Sequence, residues 1–180
     1  VQGYRPGTIS GRGFDPEELA RIKPGIVYVT ISAYGHKGPW SDYRGFDSLT
    51  QSASGIVFEG MMAAGREEPH PLPCQALDHG TGYLAAFGAM AALKRRAEEG
   101  GSWMVRVSLA QTGRWIDKLG RVDGLSVINP EEKDIADLLE THSSPWGDVL
   151  HVKSPEVMSE TAPFWQTGPV PVGTHDAAWV

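Results

Sequence analysis

One cysteine, Cys74, stands alone among 180 residues, so the chain has no partner for an internal disulfide. A reducing cytoplasm is the expected setting. Long apolar runs are missing, and no signal-peptide pattern is visible, which argues against a membrane-spanning role. Basic residues are in deficit, with 16 Lys and Arg against 22 Asp and Glu and a formal net charge of -6. That balance argues against nucleic acid and anionic membranes as partners, although a local basic cluster could still hold a phosphate. No Met and no lead-in open the chain, as expected of a segment of a longer protein. Repeats and low-complexity tracts are also absent.

Several catalytic signatures are missing as well. None of the six histidines pair at the spacings zinc sites use, and no metal is expected. There is no Gly-x-Ser-x-Gly elbow and no phosphate loop; Gly11-Arg12-Gly13 is too short to count. His79 follows Asp78 directly, and adjacent helical residues point apart, so the two do not read as a catalytic pair. His36 reads as a loop residue and the six tryptophans as packing.

What remains is an α/β pattern. Residues 14–22 carry an Asp cap, Pro at the first helical position and acids in the first turn, with Phe14, Leu19 and Ile22 as the apolar face. Residues 26–32 are a β-branched run with little alternation, the signature of a strand covered on both faces. A glycine-punctuated loop follows over 34–45. Residues 47–58 read as a helix with Leu49, Ala53, Ile56 and Val57 inward, and 60–73 as irregular. Residues 80–99 are apolar almost all round until Lys94, which predicts a long, central, buried helix. Residues 103–108 alternate as a strand, 109–119 read as a helix and 129–140 as a short one. From Ser143 onward the composition predicts an extended tail. The expected division is 1–124 and 125–180.

The segment Pro73 to Gly82 holds the most informative side chain, Asp78, just ahead of the long helix. Free amides and the helix dipole favour a carboxylate there. Local sequence alone favours a plain N-cap over a catalytic role.

The neighbouring motifs carry the argument further. Tyr4-Arg5-Pro6-Gly7, Tyr28 to Gly35, Gly38-Pro39-Trp40, Arg44-Gly45-Phe46-Asp47, Gln51 with Gly55, Asp78 to Gly82 and Ala91 to Arg95 occur in a familiar order. Over residues 1–120 the chain resembles the class III CoA-transferases, which include formyl-CoA transferase, the carnitine and bile-acid CoA-transferases and α-methylacyl-CoA racemase. The segment from Pro169 to His175 resembles the family's C-terminal ending. The resemblance implies part of the family's large, Rossmann-like α/β domain with an extended C-terminal tail.

It also implies a chemistry: CoA moves between an acyl-CoA donor and a carboxylic acid through anhydride and thioester intermediates on Asp78. A covalent intermediate splits a hard acyl exchange into easier steps. Gly3, Tyr4 and Arg5 match the segment touching the nucleotide end of CoA, and Arg44, Gly45, Phe46 and Asp47 match the loop lining CoA and the active site. Arg5 and Arg44 are then phosphate partners; solvated surface charge is the competing reading. No cofactor is implied beyond CoA as co-substrate. Family members form interlocked homodimers, so a second copy or a companion chain is the expected partner.

Three departures bear on this. Gly3 replaces the family's Asn. Phe46 stands where racemases carry a His, and having no titratable proton it disfavours two-base racemisation. The family's N-terminal βα portion and most of its smaller domain are absent, which keeps open a non-catalytic CoA-binding or partner subunit.

Overall fold

Asp15 opens the first helix, α1 (Pro16–Ile22), with its carboxylate accepting from the Glu18 amide at 2.9 Å. The expected apolar face does not bury: no α1 residue is buried, and Phe14 and Ile22 are both more than half exposed. The next element, β1 (Val27–Ser32), has Tyr28, Val29, Thr30 and Ser32 inside, as a strand covered on both faces should. Gln2 lies along one edge of β1. Its amide donates to Val29 O at 2.9 Å, and its carbonyl accepts from the Ile31 amide at 3.0 Å.

The single helix expected over 47–58 is two helices, α2 (Asp47–Ala53) and α3 (Ile56–Ala63). Gly55 between them sits at φ 89°, a left-handed conformation that ends one helix and opens the next. The buried face of α2 is also not the expected one. Leu49 and Ala53 face outward, while Asp47, Thr50 and Gln51 are inside.

Helix α4 (Ala76–Glu99) begins four residues earlier than its composition suggests, because Gln75 rather than Asp78 takes the cap position. Leu77, Thr81, Ala85 and Ala92 form its buried stripe. Gly88 continues that stripe: a Cβ there would stand 2.6 Å from Val105 Cγ1. The expectation of a helix buried all round fails, since Tyr83, Phe87 and Met90 are 68%, 67% and 62% exposed. Gly88 lets α4 approach β2, and Tyr83, Phe87 and Met90 lie on its exposed face.

Strand β2 (Trp103–Ser108) pairs with β1 in parallel, from Val27 opposite Trp103 to Ser32 opposite Ser108. It alternates, with Met104 and Arg106 outward. Helix α5 (Leu109–Lys118) starts on the Ser108 cap and meets α4 where the Thr81 and Thr112 hydroxyls bond at 2.6 Å. Ala33, Leu77 and Leu109 form the central apolar cluster, with Tyr34, Ile56 and Ile116 packed against it. The result is an α/β fold with a parallel strand pair and covering helices.

The computed structural model describes residues 1–178, which fall into two units, residues 1–125 and 126–178. The second unit departs from expectation. In place of a helix over 129–140 there are two 3-10 turns, Glu132–Asp134 and Ala136–Leu138. Glu131 and Asp134 cap each other's backbone, which closes the first turn after three residues. In place of a tail from Ser143 there is an antiparallel hairpin, β3 (Leu139–Ser144) and β4 (Gly147–Val152), turning through Pro145 and Trp146. Beyond it, residues 153–178 form no further helix or strand. Among the described residues, no helix is long and apolar enough to cross a membrane.

Gly55 touches nothing within 4 Å, so only its backbone angle resists a side chain. Gly55→Ala is expected to cost about 1–2 kcal/mol from the left-handed penalty alone. Urea unfolding measures this, and an unchanged midpoint would contradict the backbone account.

Candidate active site

The first turn of α4 leaves amides without helical partners, and a neighbouring helix supplies one acceptor. Asp47 is only 1% exposed, and its Oδ2 accepts from the Asp78 amide at 2.8 Å. Its Oδ1 accepts from Gln51 Nε2, one helical turn along α2. Gln51 in turn accepts from the Leu72 amide at 2.9 Å and reaches Cys74 O at 3.4 Å. A buried carboxylate without donors would be costly, and these contacts provide them. The pair fixes both the start of α4 and the irregular segment that leads into it.

Asp78 is therefore not the cap expected from its position. It lies in the first turn with its side chain exposed, and among the described residues no hydrogen bond holds its carboxylate. Partial burial pushes its pKa above the ordinary aspartate value. The negative Asp47 adds to that rise, and His79 opposes it.

Next to this clamp lies a cavity of about 350 Å³ whose lining includes Gly3, Tyr4, Arg5, Arg44, Gly45 and Phe46. The pairing of Gln2 with β1 brings the first three to the carboxyl end of that strand, where Ser32 and Ala33 also line the space. Gly45 is required by close approach: a Cβ there would fall 2.4 Å from the Ala33 Cβ. Neither Arg5 nor Arg44 has an ion-pair partner among the described residues, and both are exposed. Asp47 lies beneath Phe46 in sequence and inside the fold, so it does not line the cavity. Asp78 does not line it either; the backbone from Phe46 to Asp47 and the Asp47–Asp78 bond connect the two.

Residues 1–119 match the sequence profile of CoA-transferase family III. The chain belongs to this family. Acetyl-coenzyme A transferase nodX of Hypoxylon pulicicidum is 32% identical over 149 residues, covering 81% of this chain and 24% of that protein. Succinyl-CoA:glutarate CoA-transferase of Mus musculus is 35% identical over 102 residues, covering 56% of this chain and 22% of that protein. The crystal structure of Rv3272 from M. tuberculosis overlays with a TM-score of 0.58 at 28% identity, over 66% of this chain and 33% of that one. The chain thus spans about a quarter of the length of these curated relatives.

Within this family III segment, sequence reasoning passed over two contributors. Gln51 was noted as a motif residue without a role, yet it holds Asp47 and the 72–74 backbone together. Tyr43 lines the cavity and stacks on Trp40 at 6.2 Å, with Tyr34 meeting Trp40 edge-on at 5.3 Å. The spacing of Trp40 and Tyr43 is the only sequence signal for that stack. A second cavity, of about 410 Å³, lies at the carboxyl ends of β1 and β2 and is lined by His36, Lys37, Arg106 and Ser108 among others. Burial there, and the charge of Arg106, push the His36 pKa down.

Two outcomes follow from the clamp. Asp47→Ala leaves the Asp78 amide and Gln51 Nε2 without an acceptor and is expected to cost about 1–3 kcal/mol in denaturant unfolding. The raised Asp78 pKa means its charged form is disfavoured by folding, so its contribution to stability improves as pH falls through that pKa. Carboxyl NMR should find Asp78 titrating above an ordinary aspartate, and Asp47→Asn should move that midpoint down. A midpoint that stays put in Asp47→Asn would remove Asp47 from the account.

Proposed function

We propose that this chain carries the nucleophilic segment of a CoA-transferase that moves CoA between an acyl-CoA and a carboxylic acid, with Asp78 as the covalent carrier. The observation that supports this best is the unengaged Asp78 carboxylate at the start of α4, held by its backbone rather than its side chain. The nearby cavity, with Arg5 and Arg44 at its edge, suits the phosphates of CoA, and Gly3, Tyr4, Gly45 and Phe46 shape the space.

The Asp78 carboxylate attacks the thioester carbonyl of the donor, and the carbon–sulfur bond breaks to give an acyl anhydride and CoA thiolate. The thiolate attacks the aspartyl carbonyl, releasing the donor acid and leaving an aspartyl-CoA thioester. The acceptor carboxylate attacks that thioester, giving a new anhydride and thiolate. Attack of the thiolate on the acceptor carbonyl then yields the new acyl-CoA and restores Asp78. Each step passes through an oxyanion, and the positive end of the α4 dipole supports that charge even though Asp47 already occupies the Asp78 amide. Asp78 must be ionised to begin, so its raised pKa sets the acid limb of the rate at a higher pH than an unperturbed aspartate would.

Racemisation at the α-carbon would need a second proton carrier, and Phe46 supplies none. Asp78 does not line the cavity that holds Arg5 and Arg44, which favours one second reading, a CoA-binding subunit whose catalysis needs a companion chain or a second copy. The cytoplasm is the compartment proposed for either form.

Incubating the chain with acetyl-CoA and hydroxylamine tests the covalent role. Peptide mass spectrometry should find a hydroxamate at Asp78, and none in Asp78→Asn. CoA binding that depends on Arg5 and Arg44 without any hydroxamate would favour the subunit reading instead.

A further inference from the structure

Strand geometry in the second unit assembles a group that linear spacing conceals. Successive strand residues point to opposite faces, so Glu140 and His142 share one face of β3. The hairpin register sets His151 opposite Glu140, and residues paired across strands point the same way. All three side chains are partly buried, and their ligand-type atoms lie within 4.8 Å of one another. His142 Nδ1 stands 2.8 Å from His151 Nε2, and His151 Nε2 stands 3.8 Å from Glu140 Oε1. The two imidazoles stack at 4.9 Å with 22° between planes.

We propose that Glu140, His142 and His151 form a binding site for a divalent late transition metal, with Zn²⁺ the best match. Tetrahedral zinc with ligand bonds of about 2.0–2.1 Å separates neighbouring donor atoms by about 3.3 Å. The His142–His151 and His151–Glu140 separations bracket that figure, and all three donors lie within 4.8 Å, so side-chain shifts of about 1 Å bring them to one ion. Two imidazoles and a carboxylate are donors for Zn²⁺, Cu²⁺ or Ni²⁺, whereas Mg²⁺ and Ca²⁺ take oxygen shells. Three protein ligands leave one position open for water or another donor.

Two further contacts support a built site. His151 Nδ1 lies 2.8 Å from Val152 O; donating there, it directs the Nε2 lone pair toward His142 and Glu140. Gly168 packs against β3 beside His142, where a Cβ would fall 2.8 Å from Ser143 O and 3.4 Å from His142 Cβ. The strand carrying His142 is thus backed by the chain that follows the hairpin. The competing account is a cross-strand histidine pair that merely bonds and stacks.

Co²⁺ added to the purified chain should give the visible bands of a four-coordinate site at one ion per chain, and Zn²⁺ should displace it. His142→Ala and His151→Ala should each weaken Zn²⁺ binding at least about tenfold in calorimetry, with His175→Ala unchanged. Should either variant misfold, imidazole NMR of the unaltered chain decides: Zn²⁺ must shift His142 and His151 before His36, His70, His79 or His175. Binding equal in all three variants, six-coordinate Co²⁺ spectra, or first shifts at other histidines would overturn the proposal.

Discussion

The Asp47 carboxylate bonded to the Asp78 amide is the contact on which the rest of the first unit turns. A helix start must find acceptors for its exposed amides, and the side chain at Asp78 could have taken that task locally. Here Asp47 takes it from a different helix. The consequence is a division of labour between two carboxylates 31 residues apart. One is buried and structural, and the other is left exposed with no partner among the described residues.

That division has an electrostatic cost as well as a use. The α4 amides attract negative charge, but Asp47 already occupies the neighbourhood, and partial burial works in the same direction. A carboxylate with a raised pKa is more basic and therefore a better nucleophile once ionised. The same field weighs against additional negative charge, so acylation of Asp78, as proposed, would relieve a repulsion present in the resting site. The arginines Arg5 and Arg44 line the cavity, which Asp78 does not, and among the described residues they form no ion pair with it.

Much of this frame was legible in the sequence because it rests on local rules. The β-branched run at 27–32, the alternation at 103–108, the Asp15 cap and the Ser108-to-Lys118 helix follow propensity, period and capping. The order of motifs also identified the family. What was not legible depended on contacts distant in the chain. Helix α4 begins at Ala76 because Asp47 satisfies its first turn from outside, and no local signal marks that. Helix α2 buries Asp47, Thr50 and Gln51 where periodicity pointed to Leu49 and Ala53, because Asp47 has the Asp78 amide and Gln51 has the 72–74 segment as distant partners. The Thr50 hydroxyl beside them is buried without one among the described residues. The hairpin at 139–152 has few apolar residues and a proline in its turn, so composition read as tail. Its register is also what joins His142 to His151, which linear spacing kept apart.

The interior explains why site and scaffold are hard to separate in this chain. Among the described residues eight apolar ones are buried, Val29, Leu77 and Leu109 included, and eight polar ones are buried beside them, including Asp47, Thr50, Gln51, Thr81 and Thr112. Apolar volume supplies driving force but little direction, whereas hydrogen bonds fix distances and angles. The Thr81–Thr112 bond sets how α5 crosses α4, and the Asp47–Gln51 pair sets how α2 meets the same helix. The polar half of the core therefore positions the α4 terminus from two sides. Loosening either contact would move the Asp78 backbone before it unfolded the strands, which keep their own ladder. Precision at the proposed nucleophile thus derives from buried polar groups, and its exposure derives from the fact that none of them engages its side chain.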